Sequence, residues 1–186
     1  MSSACRWSVA LLLMVVSALG LPQIDDVLVE DGFEGTLGNW SVTNGAALFT
    51  GTNFPSVGTG AARIPRTCGN PQLYLTEPLL LATAEYDTLT ITFDYHSDGG
   101  DGTVRWYLQY SSDGGTNWLQ LQEFNGNMSV PASYSNTMLK TSYTFSDNAT
   151  FRIVGGCQTP VRNFYVDEMK IVGFPKPFPG MVIQLR

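Results

Sequence analysis

The sequence predicts an all-β fold, a two-sheet antiparallel β-sandwich of the jelly-roll type. Three observations predict it. Apolar and polar residues alternate along many short runs, the period-2 signature of strands with one buried face. Gly, Ser, Thr and Asn recur at short, even intervals between those runs and supply turns. No stretch shows the 3.6-residue apolar period of a helix that would pack on a sheet.

The elements follow in order. "DVLVE" (26–30), "AALFTG" (46–51), "AARIP" (61–65) and "LYLTEPLLL" (73–81) are the first candidate strands. "TLTITFDYHS" (88–97) is the clearest: Leu89, Ile91, Phe93 and Tyr95 share one face, and Thr90, Thr92, Asp94 and His96 the other. After the turn "DGGDG" comes "TVRWYLQYS" (103–111), with Val104, Trp106, Leu108 and Tyr110 opposing Arg105, Tyr107 and Gln109. The two runs read as one long antiparallel hairpin. "WLQLQEF" (118–124), "MLKTSYTF" (138–145), "ATFRIVG" (149–155) and "FYVDEMKIV" (164–172) complete the set.

Residues 1–20 read as a secretory signal peptide. Arg6 gives a positive n-region, Val9–Val16 is an apolar run shorter than the roughly 20 residues that span a bilayer, and Ala18 and Gly20 precede a cleavage position at Leu21. Residues 21–173 read as one domain. Residues 174–186 form a tail in which Pro175, Pro177 and Pro179 forbid ladder pairing. The net charge of −6 offers no basic stripe, so nucleic acid is excluded as a partner, and no later segment is apolar enough for a membrane span. The expected partner is an extracellular protein or glycan.

Cys68 and Cys157 remain once the leader, with Cys5, is removed. In an oxidising compartment an isolated pair favours a bond to itself, with a cross-chain bond or free thiols as the alternatives. Asn39, Asn127 and Asn148 each begin an N-x-S/T sequon, a glycan acceptor in a eukaryotic secretory route.

"SSDGGTNW" (111–118) fits an aspartate box, S-x-D-x-G-x-T-W, except that Asn117 stands where Thr is usual. Its chemistry is local: Ser111 and Asp113 accept backbone hydrogen bonds in a tight turn, Gly115 takes positive φ, and Trp118 packs beneath. The box therefore specifies a turn between two strands rather than a catalytic group. In this setting it resembles the single box of a reelin-type subrepeat. "DGFEG" (31–35) with Asn39-Trp40 resembles the opening of that family, and "FYVDEMKIVG" (164–173) its closing strand. MAM domains and carbohydrate-binding modules share the opening and closing signatures. The resemblance implies a jelly roll, galactose-binding-like or concanavalin-like, and an extracellular recognition role.

Asp167 falls in register with Tyr165, Met169 and Ile171, the more apolar series of its strand. An ionised carboxylate there is costly unless paired or metal-bound. Jelly rolls of the resembled kind hold a structural Ca²⁺ between an opening acid and a closing-strand acid, which implies Glu34 with Asp167, and Asp31 in reserve; hard Ca²⁺ takes oxygen ligands. Against that stands a plain arrangement in which Asp167 bonds backbone amides and Glu34 is solvated. His96, the single histidine, excludes multi-histidine zinc sites and reads as a solvated side chain. "EYD" (85–87) lacks the third acid of a glucanase E-x-D-x-x-E motif, because Thr90 stands there, and reads as a turn. Tyr107, Tyr134 and Tyr143 are candidate outward aromatics for stacking on sugar.

The expectation is a secreted, non-catalytic binding module of matrix, adhesion or recognition type, stabilised by calcium. A carbohydrate-binding lectin-like module is the alternative, and a glycoside hydrolase comes third.

Overall fold

A computed structural model describes residues 25–51, 57–98, 103, 105–126, 130–157 and 162–176. The expected signal peptide, residues 1–20, and residues 177–186 of the expected tail lie outside the described residues, as does Asn127; Phe174 and Pro175, expected in the tail, instead end the last strand, paired with Thr88 and Tyr86.

The described residues form eleven strands. They are β1 (Asp26–Asp31), β2 (Trp40–Thr43), β3 (Ala47–Thr50), β4 (Gly60–Pro65), β5 (Gln72–Leu75), β6 (Tyr86–Ser97), β7 (Arg105–Ser111), β8 (Leu119–Asn125), β9 (Ala132–Leu139), β10 (Thr150–Gly155) and β11 (Asn163–Pro175). Sheet A runs β3-β4-β11-β6-β9, and β1 also pairs with β11. Sheet B runs β2-β5-β10-β7-β8. Each strand pairing is antiparallel, so the two-sheet antiparallel sandwich stands. β11 is long enough to pair with β4 through Asn163–Val166 and with β1 through Met169–Gly173, which sets the opening and closing strands side by side.

Three strand expectations are corrected. β6 and β7 are not a hairpin: β6 lies between β11 and β9 in sheet A, and β7 between β10 and β8 in sheet B. Each alternates as read, but the buried faces look at each other across the sandwich rather than lying on one sheet. The strand placed at 138–145 lies at Ala132–Leu139, and Lys140 onward turns. "LYLTEPLLL" gives a strand only as far as Leu75; past it the ladder stops short of Pro78, which has no N–H to donate. β2, "WSVT", was too short to stand out.

The core fills the space between the sheets. Leu89, Ile91, Phe93, Phe164, Val166, Met169 and Ile171 enter from sheet A, and Leu73, Trp106, Leu108, Phe151 and Ile153 from sheet B. Each such side chain contributes roughly 1.5–3 kcal/mol by leaving water. Trp106 stacks on Phe164 with centroids 5.2 Å apart, and its Nε1–H donates to the Ile64 carbonyl at 3.1 Å, tying β7 to β4 across the sandwich. Cys68, in the β4–β5 crossover, bonds Cys157, in the β10–β11 crossover, so one disulfide fastens two sheet-to-sheet passages.

Candidate functional site

The aspartate box joins β7 to β8 at the edge of sheet B. Ser111 Oγ accepts the Asp113 and Gly115 N–H groups at 3.2 and 2.9 Å and donates to Asp113 Oδ1 at 2.7 Å. Asp113 also accepts the Asn117 backbone N–H at 2.8 Å and its Nδ2 at 2.6 Å. Asn117, the departure from the pattern, thus supplies two donors to the carboxylate. Led by the Asn117 backbone hydrogen bond, these donors hold the Asp113 pKa down to about 2. Gly114 and Gly115 take φ of 71° and 89°, and a Cβ on Gly115 would sit 3.0 Å from Trp118 Cζ2. The turn therefore seats the indole, but not in the core. Trp118 lies half-buried on the outside of sheet B, with the Arg152 guanidinium 4.0 Å from its ring centroid, a cation–π contact.

Arg152 reaches that position by strand alternation. Phe151 and Ile153 point inward from β10, so Arg152 points out. The ladder sets it in one cross-strand row with Ser41, Tyr74, Gln109 and Gln120. Its Nε donates to Gln109 Oε1 at 2.7 Å and its Nη1 to Gln72 Oε1 at 3.1 Å. Partial burial draws its pKa below the ordinary guanidinium value, and the group stays charged at neutral pH. Around it opens a cleft of about 490 Å³, within the range of small-ligand sites. Tyr74, Trp118, Thr76, Thr150, Gln72 and Asn148 are among its walls, and no carboxylate, histidine or cysteine lines it among the described residues. The cleft can offer aromatic faces, hydroxyls, amides and one cation.

The expected acids occupy another face. Asp167 is fully buried, with Oδ2 accepting the Val57 N–H at 3.2 Å and Oδ1 the Glu168 N–H at 2.8 Å. Glu34 Oε1 accepts from the Thr59 and Gly60 N–H groups at 2.8 and 3.1 Å, and Oε2 from Thr59 Oγ at 3.2 Å. Both carboxylates thus grip the Val57–Gly60 segment. Asp31 does not join them; it accepts the Asn39 N–H and Nδ2, each at 3.2 Å, within the opening turn. A bulge at Asp167–Lys170, with Glu168 at φ 50°, breaks the expected register. Phe164 and Val166 face the core before it and Met169 and Ile171 after it, so Asp167 belongs to the outer face of sheet A. Asp94 lies directly opposite it on β6. Burial, reinforced by Asp167, Asp94, Glu30 and Glu34, raises the Glu168 pKa. Among the described residues no three His, Cys, Asp or Glu side chains cluster as a metal site. Glu34 and Asp167 supply oxygen donors of the hard type that Ca²⁺ takes, but Glu34 Oε1 already accepts two N–H groups, which leaves Oε2 as the less occupied oxygen of that carboxylate.

The remaining candidates divide. Tyr107 is on the outer face of sheet B, in a row with Val154 and Glu123. Tyr134 and Tyr143 do not face outward as expected. Tyr134 packs 4.9 Å from Phe93 and 5.3 Å from Phe124, and burial pushes its pKa up to about 12; Tyr143 packs against Tyr110. His96 is half-buried beside Tyr165, with ring centroids 6.2 Å apart. Glu85 is an exposed turn residue at φ 55°. Asn39 and Asn148 are exposed, and Asn148 borders the cleft. Sequence reasoning missed Arg152, Tyr74 and Gln72; the available signal was the outward parity of Arg152 in "TFRIV".

No protein-family model and no curated protein matches the chain. Solved structures share its fold. The CBM22-1 xylan-binding domain of Paenibacillus barcinonensis Xyn10C superposes with a TM-score of 0.59 at 13% identity, covering 84% of this chain and 99% of that one. The C-terminal family 22 carbohydrate-binding module of Clostridium thermocellum Xyn10B gives 0.58 at 15% identity, covering 82% and 96%. The K3 cleaved adhesin domain of Lys-gingipain from Porphyromonas gingivalis gives 0.53 at 12% identity, covering 80% and 98%. At these identities the likeness establishes the β-sandwich fold.

Proposed function

We propose that this protein is a secreted, non-catalytic carbohydrate-binding module that takes its ligand in the cleft on the outer face of sheet B. The carrying observation is the joint placement of Trp118, Tyr74 and Arg152 in that cleft, a stacking surface beside fixed polar groups. The fold likeness to xylan-binding modules supports the same reading. The glycan-binding alternative thereby takes precedence over a protein-adhesion role. The adhesion role rests on the reelin-type resemblance and on the single box at the β7–β8 turn. The disulfide and the leader composition support secretion.

Calcium belongs to this proposal as a structural ion on the opposite sheet. Glu34 and Asp167 would hold it and pin the Val57–Gly60 segment, which both already bond. The test of the main reading is a glycan array probed with wild-type protein and Trp118→Ala. Binding by the wild type that the variant loses supports it, and silence of the wild type across neutral and acidic glycans overturns it.

A further inference from the structure

The two arginines on the outer face of sheet B are treated differently. Arg105, on β7, pairs with Glu123 of β8 at 2.5 Å. Arg152, on the adjacent β10, is held by two amide oxygens, from Gln109 and Gln72, and by the π face of Trp118. Amides orient a guanidinium as carboxylates do, but they leave its charge unneutralised. No carboxylate lines the cleft among the described residues, although the chain as a whole carries a net charge of −6. A cation kept unpaired in a partly desolvated recess of an acidic protein is costly without an anion to meet it. Nη2 makes no hydrogen bond among the described residues, which leaves donors on the guanidinium for a planar, bidentate partner.

We infer that the cleft selects sugars bearing a carboxylate, with Arg152 receiving the acid group while Trp118 and Tyr74 flank the ring. This inference rests on the carbohydrate-binding reading and narrows its ligand class. It differs from the xylan named for modules of like fold. A uronate and a sialate share the recognised group, so the experiment carries one probe of each.

Isothermal titration of the full chain compares trigalacturonate with its trimethyl ester and 3′-sialyllactose with lactose; xylohexaose is the neutral control. Esterification removes the charge and the bidentate acceptor while leaving the sugar rings and hydroxyls in place, so the comparison works on wild-type protein and does not depend on a variant folding. The expected result is that at least one acid binds about 10-fold or more tightly than its neutral counterpart, the scale of a charge-assisted hydrogen bond. Arg152→Gln, with its melting temperature checked, removes that preference and brings the acid and neutral affinities together. Equal affinity for acid and neutral partners overturns the inference and leaves the carbohydrate reading standing, as does binding of xylohexaose alone. Absence of binding to all five probes overturns the inference, while the glycan array judges the broader reading separately.

Discussion

The Arg152 guanidinium lies 4.0 Å above the Trp118 ring, joining the middle of sheet B to the turn that closes its β7–β8 edge. This contact converts a local turn motif into one wall of a site. Trp118→Ala should weaken glycan binding by about 10-fold or more, since burying an aromatic face is worth roughly 1.5–3 kcal/mol. The melting temperature should move little, because the ring is half-exposed and outside the core. Titration calorimetry and a thermal melt check the two halves, and Trp118→Tyr should restore part of the affinity.

Acid should loosen the same turn. Asp113 has a folded pKa of about 2 against an ordinary value of 3.8, and Glu34 and Asp147 are also depressed by the N–H and O–H groups that they accept. A depressed folded pKa gives stability that is present above the unfolded value and lost as pH falls through the folded one. The melting temperature should therefore drop between pH about 4 and about 2. Asp113→Asn, whose side chain keeps one acceptor oxygen, should be less stable near neutrality and flatter across that window. A wild-type profile flat down to pH about 2 contradicts the assignment.

Reduction should cost more. The Cys68–Cys157 bond spans a sequence separation of 89. The chain-entropy relation puts closure of such a loop at about 4–5 kcal/mol, or roughly 10–15 °C in melting temperature for a domain of this size. Paired melts with and without reductant measure it, and Cys157→Ser should match the reduced protein.

Calcium is tested by linkage. A ligand bound to the folded state alone raises the melt, so chelator should lower it and added Ca²⁺ should restore it. Asp167→Asn should abolish the calcium response. A melt indifferent to both reagents means that the amides of Val57–Gly60 and Glu168 suffice for Glu34 and Asp167.

Much of the fold was legible because alternation reports which side chains turn inward. It identified the inner faces of β6 and β7. Alternation does not say which sheet a strand joins, so the glycine-rich link after Ser97 passed for a hairpin turn when it is a crossover between sheets. β9 was misplaced because an edge strand rich in Ser and Asn lacks a two-sided apolar signal. The one-residue bulge at Asp167 is equally silent in sequence, and it moved that carboxylate from the expected inner face to the outer one. The cleft was the least legible part. Arg152, Tyr74 and Trp118 come from β10, β5 and the β7–β8 turn, and only strand order brings them together.

The most direct test of the central claim is to follow tryptophan indole N–H resonances while titrating a glycan that the array selects. The account predicts that the Trp118 signal shifts on binding and that the buried Trp106 signal, bonded to the Ile64 carbonyl, stays in place. Saturable binding with Trp118 unmoved, or with perturbations confined to the outer face of sheet A, would contradict it.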